Sequence, residues 1–371
     1  MNRMILAFAV AGLTLAPSSR ADEADKTKTL EKPLRAEFEK TKAPGAIVGI
    51  YREGKPVLEL ALGKADVEND RAMATDCHFH IASVSKVFVG TTLLTLVDEG
   101  KVSLDDKISK YVEGVPNGDK ITLRHLGSHR SGLFNHISSK TVKEMFAAKP
   151  EKWWTVEELL AVPLKEKTYF EPDGGHHYSN ANTVLLALVI EKATGKKWGD
   201  EVAARVIKPL GLKNTTIPTD NSLPKPYCEG YALGTKDGPF FNRGDVRHNV
   251  TKTSPSWWGP AGNMISTLGD LSKAAKPLAT GKLLKEATRK ELHGWTKADQ
   301  EGYEYGFHIE RTKGMVGHDG DVPGYQTAMY YLPEHDAVVV AMVNLYGWSV
   351  RGMPASQLAK VAVEQCFSSK K

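Results

Sequence analysis

Cysteine is scarce in this chain: three in 371 residues, at Cys77, Cys228 and Cys366. An odd set of three cannot build a disulfide framework, and none has zinc-ligand spacing. One bridge with a free thiol, or three buried free thiols, both remain open. Charge of one sign is lacking too, with 49 Lys and Arg against 44 Asp and Glu. No lysine- or arginine-rich block stands out, which argues against a nucleic-acid partner and for a mixed, solvated surface. Beyond the first residues no apolar run is long enough to cross a bilayer, so stable membrane insertion is not expected. The chain shows no internal repeat and no low-complexity tract. It also lacks a G-x-S-x-G elbow, a Walker loop and a G-x-G-x-x-G strand-turn. Their absence argues against α/β-hydrolase, NTPase and dinucleotide-binding folds.

What the N-terminus does have is a short leader. Residues 1–21 carry Arg3, an apolar stretch from Met4 to Ala16, and the small–x–small triplet Ser19-Arg20-Ala21. This is the pattern of a secretory signal peptide. No Cys follows the apolar stretch, so a bacterial lipid anchor is not expected. The mature chain, residues 22–371, is expected to be soluble and secreted or periplasmic. Removal of the leader leaves 47 basic against 44 acidic residues. The remaining length exceeds what one hydrophobic core usually serves, which predicts two lobes.

Periodicity supplies the fold class. Leu30, Leu34 and Phe38 recur on one face of an N-terminal helix. Ala46–Tyr51 and Val57–Gly63 flank a turn at Arg52–Lys55 and read as a hairpin. Ser83–Glu99 reads as a long helix stopped by Gly100. Val156–Val162, Asn182–Ala193 and Leu268–Leu278 are helical, and residues 216–258 read as long loops. Strands are expected at Tyr305–Arg311, Tyr325–Leu332 and Ala337–Asn344, with a last helix from about Ala355 to Cys366. The run AVVVAMV has no polar alternation and should be buried on both faces. Strands at both ends with helices between predict an α+β, α/β-sandwich fold. The antiparallel sheet would be built from about residues 22–75 and 260–371, with a helical lobe at about 76–259.

One stretch, HIASVSKVFVG at residues 80–90, carries chemistry. The helix after Ser83 is apolar nearly all round, hence buried. Lys86 sits in its first turn, where burial without a partner drives a lysine towards its neutral form. Spacing i, i+3 puts Ser83 and Lys86 on one face, with Cβ atoms about 5–6 Å apart. A helix N-terminus adds free N–H groups that favour developing negative charge. Nucleophile, base and electropositive backbone thus meet in four residues. The bland alternative is an N-cap serine with a snorkelling lysine. Ser222 and Ser368 also have lysines three places on, but neither opens a buried helix.

The order of SVSK at Ser83–Lys86, YSN at Tyr178-Ser179-Asn180 and HDG at His318-Asp319-Gly320 resembles the three-motif signature of serine β-lactamases and penicillin-binding proteins. The connecting text, including LVDEGKVSLDDKISKYV, LRHLGSHRSGL, PLGLKNTTI, PAGNMISTLGDL and GHDGDVPGYQTAMYYLP, is similar to the β-lactamase-related hydrolases from about Gly45 to Asn344. The resemblance implies a sheet region and a helical lobe with the site between them. It implies Ser83 as acyl-forming nucleophile, Lys86 as its proton partner, and Tyr178 as the group that activates the serine or protonates the leaving group. Asn180 would bond the substrate amide or Lys86. Gly320 and Asp321 would line the substrate, the N–H of Asp321 and that of Ser83 forming an oxyanion hole.

The chain departs from the family's frequent Lys-Thr-Gly by having His318 in place of the lysine. A histidine is a cation only below its pKa, ordinarily about 6.5. If His318 reads a substrate carboxylate, that recognition should fade as pH rises. The form resembles D-peptidases and esterases, which puts efficient β-lactam hydrolysis in question. The resulting expectation is an exported serine hydrolase, without metal or organic cofactor, acting on an ester, a D-alanyl peptide or a β-lactam. Esterase or D-peptidase chemistry ranks above β-lactamase, and a penicillin-binding sensor that acylates and stalls is the non-enzyme alternative. His78 with His80, and His176 with His177, hint at metal but read as ordinary histidines. His129 and His136 read as structural or pocket-lining. Trp257 and Trp258 read as a substrate wall or as core.

Overall fold

The computed structural model describes residues 20–240, 244–347 and 352–367. The expected signal peptide, residues 1–21, lies outside them but for its last two positions. Among the described residues no helix is long and apolar enough to cross a membrane.

An antiparallel sheet of nine strands draws on both ends of the chain. From one edge to the other run Arg71–Ala72, Lys55–Asp66, Gly45–Arg52, Ala337–Val343, Tyr325–Leu332, Met315–Val322, Glu310–Thr312, Tyr303–Tyr305 and Thr296–Lys297. Its centre joins Gly45–Arg52 to Ala337–Val343 in the register Ala46↔Val343 and Gly49↔Val340. Residues 73–295 supply no strand to it.

The apolar run at the centre is buried along its whole length, as expected for a strand covered on both faces. Its side chains divide by pleat. Val339, Ala341 and Val343 join a cluster with Leu34, Leu358 and Ala359, from the helices Arg20–Glu39 and Pro354–Phe367. Val338, Val340 and Met342 join the other cluster, with Leu268 and Leu271 of the helix Leu268–Ala279. That second cluster extends without a break into the helices Ser85–Asp98 and Asn180–Thr194. Each fully buried aliphatic side chain contributes about 1.5–3 kcal/mol relative to exposure.

The expected helices are present, with ends moved by a few residues. Gly100 ends the helix Ser85–Asp98 with a left-handed φ of 70°. Two readings need correction. The expected strand Tyr305–Arg311 is two short strands, Tyr303–Tyr305 and Glu310–Thr312, paired with each other in the register Glu310↔Tyr305. The strand Met315–Val322, which carries the HDG triplet, had no counterpart in the pattern. Within the loops at 216–258 two short strands, Tyr231–Gly234 and Val246–Asn249, pair as a hairpin. All three cysteines are free; Cys77 and Cys228 are buried and Cys366 is half-buried.

Candidate active site

Ser83 does not open the α-helix directly. It lies in a single 3-10 turn, Ala82–Val84, and the α-helix starts at Ser85. Ala82 has a left-handed φ of 50°, a strained conformation for a residue with a Cβ. Neighbouring chain holds this turn in place. Phe79 and His80 pair with Ser266 and Ile265, the Ile81 N–H donates to the Met264 carbonyl at 2.9 Å, and the Met264 N–H donates to Ser85 Oγ at 3.2 Å. That pairing fixes the segment that ends in Ala261, Gly262 and Asn263 beside the first turn of the helix.

Lys86 is fully buried, and its Nζ has three partners. They are Ser83 Oγ at 2.9 Å, Asn180 Oδ1 at 2.8 Å and the Ala261 carbonyl at 2.7 Å. The two carbonyl oxygens can only accept. A neutral amine has two hydrogens and one lone pair. With both hydrogens given to Asn180 and Ala261, the lone pair is left facing the Ser83 hydroxyl. Burial drives the Lys86 pKa well below the usual lysine value, and the Asp321 carboxylate pulls it partly back. A neutral Lys86 is therefore both accessible and aimed.

Tyr178 and Asn180 arrive together. Asn180 is the first residue of the helix Asn180–Thr194 and is buried. Asn135 orients it, since Asn135 Oδ1 accepts from the Asn180 N–H at 3.3 Å and from its Nδ2 at 3.4 Å. The Lys86 Nζ lies 4.9 Å from the centre of the Tyr178 ring. The Tyr178 hydroxyl is buried against Ser83 without a fully formed hydrogen bond. Burial raises its pKa well above 10, the Ser83 hydroxyl works against this, and the carboxylates of Glu310, Asp319 and Asp321 add to the rise. Tyr178 is a neutral phenol at ordinary pH.

The strand Met315–Val322 presses on the serine. A Cβ on Gly320 would lie 2.4 Å from Ser83 N and 2.7 Å from Ser83 Cβ, so only glycine permits the approach. His318 is buried two residues earlier. Its Nδ1 lies 2.5 Å from the Asp319 carbonyl and must donate to it. Nε2 is then the acceptor, and the Tyr305 hydroxyl donates to it at 2.8 Å. Burial pushes the His318 pKa down to about 3, with Lys86 adding to the fall. The imidazole is neutral and both its nitrogens are engaged within the protein. His318 thus offers no charge to a substrate carboxylate, unlike the expectation formed on an unperturbed histidine. Behind it, Tyr330 donates to Glu310 and Ser356 to Asp319, each at 2.5 Å. Burial raises the pKa of both carboxyls. Glu310, His318 and Asp319 have the spacing of a metal cluster, their ligand atoms lying within 4.8 Å of one another, but they are already spent on these bonds.

The other histidines and indoles go elsewhere. His78 bonds the Pro226 carbonyl at 2.8 Å, while both ring nitrogens of His80 are buried without partners. His176 and His177 face Asp299, at 3.0 and 3.7 Å. Trp257 and Trp258 are buried against Phe146, and Trp257 also lines a cavity together with His136, Trp154 and Leu159.

A serine and a buried lysine from one stretch and a tyrosine from a distant one therefore meet in one place. The family model described as Beta-lactamase matches residues 28–363. This chain belongs to the β-lactamase family. The family's relatives extend the likeness. Teichoic acid D-alanine hydrolase of Staphylococcus aureus is 28% identical over 302 residues, which cover 81% of this chain and 70% of that protein. Among solved structures, the D-stereospecific amidohydrolase from Streptomyces sp. superposes with a TM-score of 0.80 at 27% identity, covering 92% of this chain and 99% of that one. The D-amino acid amidase from Ochrobactrum anthropi SV3, complexed with L-phenylalanine amide, gives 0.81 at 25% identity, covering 94% and 100%. With these relatives, the β-lactamase-family chain is a serine hydrolase.

Sequence reasoning passed over several residues of this β-lactamase-family centre. The Ala261 carbonyl is invisible to any residue-type pattern, although PAGNMISTLGDL belongs to the text that resembles the family. Asn135 and Tyr305 carried no motif. His129 lies in the quoted stretch LRHLGSHRSGL, but nothing there linked it to Tyr178.

Two outcomes follow from this geometry. Gly320→Ala should lower kcat by about 100-fold or more, because a displacement of about 1 Å at the nucleophile is that costly. Circular dichroism should show the fold retained, and a variant with normal kcat would contradict the close approach. For an uncharged substrate, kcat/KM should rise with pH as Lys86 loses its proton and level off well below the ordinary lysine value of about 10.4. A profile still climbing above that value would mean Lys86 is not the base.

Proposed function

We propose that Ser83 attacks the carbonyl of an ester or amide of a D-amino acid and that hydrolysis runs through an acyl-Ser83 intermediate. The geometry at Lys86 carries the proposal: once the amine has lost a proton, two obligate acceptors take its two remaining hydrogens and leave its lone pair on the Ser83 hydroxyl. As Ser83 Oγ bonds to the carbonyl carbon, its proton passes to Lys86 Nζ. The Ser83 and Asp321 N–H groups are the proposed donors to the oxyanion. When the tetrahedral intermediate collapses, the bond to the leaving alkoxide or amine breaks. Tyr178 gives that group its O–H proton and is resupplied from Lys86. Water then repeats the sequence in reverse, releasing the acid and restoring Ser83.

The relatives' names suggest a D-alanyl ester or a D-amino-acid amide as the bond cleaved. The neutral, internally bonded His318 supports a substrate that needs no carboxylate recognition at that end. This ranks esterase or D-aminoacyl amidase activity above efficient β-lactam hydrolysis and above a stalled sensor. The signal-peptide pattern at 1–21 supports a reaction outside the cytoplasm, secreted or periplasmic.

Intact-protein mass spectrometry with an activated D-alanyl ester or a fluorescent penicillin should show an adduct on the native protein and none on Ser83→Ala. An equal adduct on the alanine variant would remove Ser83 from the mechanism. For a substrate with a free carboxylate, KM should be flat between about pH 5.5 and 8.5, since His318 titrates near 3 and stays neutral throughout. His318→Lys should improve kcat/KM for such a substrate relative to its amide by about tenfold, or about 1.4 kcal/mol. A histidine-like rise of KM across that range in the native protein would show that His318 charges after all.

A further inference from the structure

Behind Tyr178 lies a cluster of rings that the reaction scheme does not use. His129 is its centre. Its ring stacks on Tyr178, with centroids 4.4 Å apart and planes tilted by 32°, and on His308 at 5.3 Å and 27°. Tyr178 and His308 make no ring contact with each other among the described residues, and each packs on His129 independently. His176 and Tyr305 meet the same ring edge-on, at 6.1 and 4.8 Å.

Three consecutive residues rest on this one histidine. The His177 N–H donates to the His129 carbonyl at 3.0 Å. The Tyr178 ring lies on its face. The Ser179 N–H donates to His129 Nδ1 at 3.3 Å. The Asn182 amide also donates to Nδ1, at 2.8 Å, with its orientation set by the Ser131 hydroxyl donating to Asn182 Oδ1 at 2.6 Å. Nδ1 is therefore the acceptor and the ring proton is on Nε2, which is buried without a partner. A phenylalanine would stack without leaving an orphaned N–H, but it could not accept from Ser179. His129 also holds a left-handed φ of 54°, which turns its carbonyl and its ring towards the same segment. A strained backbone and an unpaired buried N–H are tolerated together at one residue, and both serve its grip on residues 177–179.

We propose that His129 is a positioning residue that fixes the ring plane and backbone of Tyr178, so that the phenol O–H points at the oxygen or nitrogen leaving the carbonyl carbon that Ser83 has attacked. The inference rests on the reading of Tyr178 as proton donor. Its hallmark is dependence on the leaving group. A p-nitrophenolate departs without a proton, whereas an alkoxide or an amine needs one. A loss of folded protein would reduce both alike.

The test compares p-nitrophenyl and methyl esters of D-alanine, with D-alanine amide, on native enzyme, Tyr178→Phe, His129→Ala and His129→Phe. Active sites are counted by acylation burst, and melting temperatures are recorded. Tyr178→Phe should lose about 100-fold or more in kcat on the methyl ester and amide, and far less on the p-nitrophenyl ester. His129→Ala should show the same selectivity at about tenfold or more, with KM within about threefold of native. His129→Phe, which keeps the stack and loses the acceptor, should fall between native and His129→Ala. If Tyr178→Phe is selective and both His129 variants lose all substrates equally per active site, the positioning role is overturned. If Tyr178→Phe is not selective, the proton-donor reading fails and this inference with it. Should His129→Ala not fold, His129→Phe decides alone.

Discussion

A buried amine with two hydrogens to give, and two carbonyl oxygens fixed to receive them, organises this molecule's centre. Neither acceptor belongs to the helix that carries Lys86. Asn180 comes from the start of another helix, and the Ala261 carbonyl is held by the short pairing of residues 79–80 with 265–266. The lone pair has a direction only because both oxygens are in place. A buried amine left with an unfilled acceptor would lose that direction, and the bared carbonyl would carry a desolvation cost of about 1–3 kcal/mol. The strain at Ala82 and the glycine-only approach of the strand Met315–Val322 belong to the same requirement, because both bring Ser83 to where the lone pair is aimed.

Around this amine the protein keeps permanent cations away. His129 and His318 are neutral by burial, and the carboxyls of Glu310 and Asp319 are pushed up. The phenol of Tyr178 is held in its protonated form. Such a surrounding is polar but low in net charge. The proton transfers proposed among Ser83, Lys86 and Tyr178 would then need little rearrangement of solvent, and dipoles fixed by the fold would act at full strength. The replacement of a permanent cation by His318, bonded on both sides, is the clearest local departure from the family's frequent lysine.

Much of this was legible in the chain itself. The apolar run after Ser83 announced a buried helix, and a lysine in that run had to be chemically special. The order of the three motifs, through the family resemblance, implied Tyr178 and Asn180 beside it. The strand Met315–Val322 was not legible, because MVGHDGDV offers two glycines, two aspartates and no alternation. It is a strand through its pairing with Tyr325–Leu332 and Glu310–Thr312, a tertiary constraint that local propensity does not see. The state of His318 was equally hidden, since it depends on Tyr305, thirteen residues away, and on depth. Backbone groups such as the Ala261 carbonyl leave no trace in residue type at all.

The central pairing of Gly45–Arg52 with Ala337–Val343 joins segments nearly three hundred positions apart. Ser83 is made early, yet the strand that abuts it and the strand that anchors that neighbour emerge only near the close of synthesis. A ribosome-bound fragment lacking them would hold an inert alcohol. Closure over so long a span is intrinsically slow. The surroundings of Ser83 are thus completed by the far end of the polypeptide.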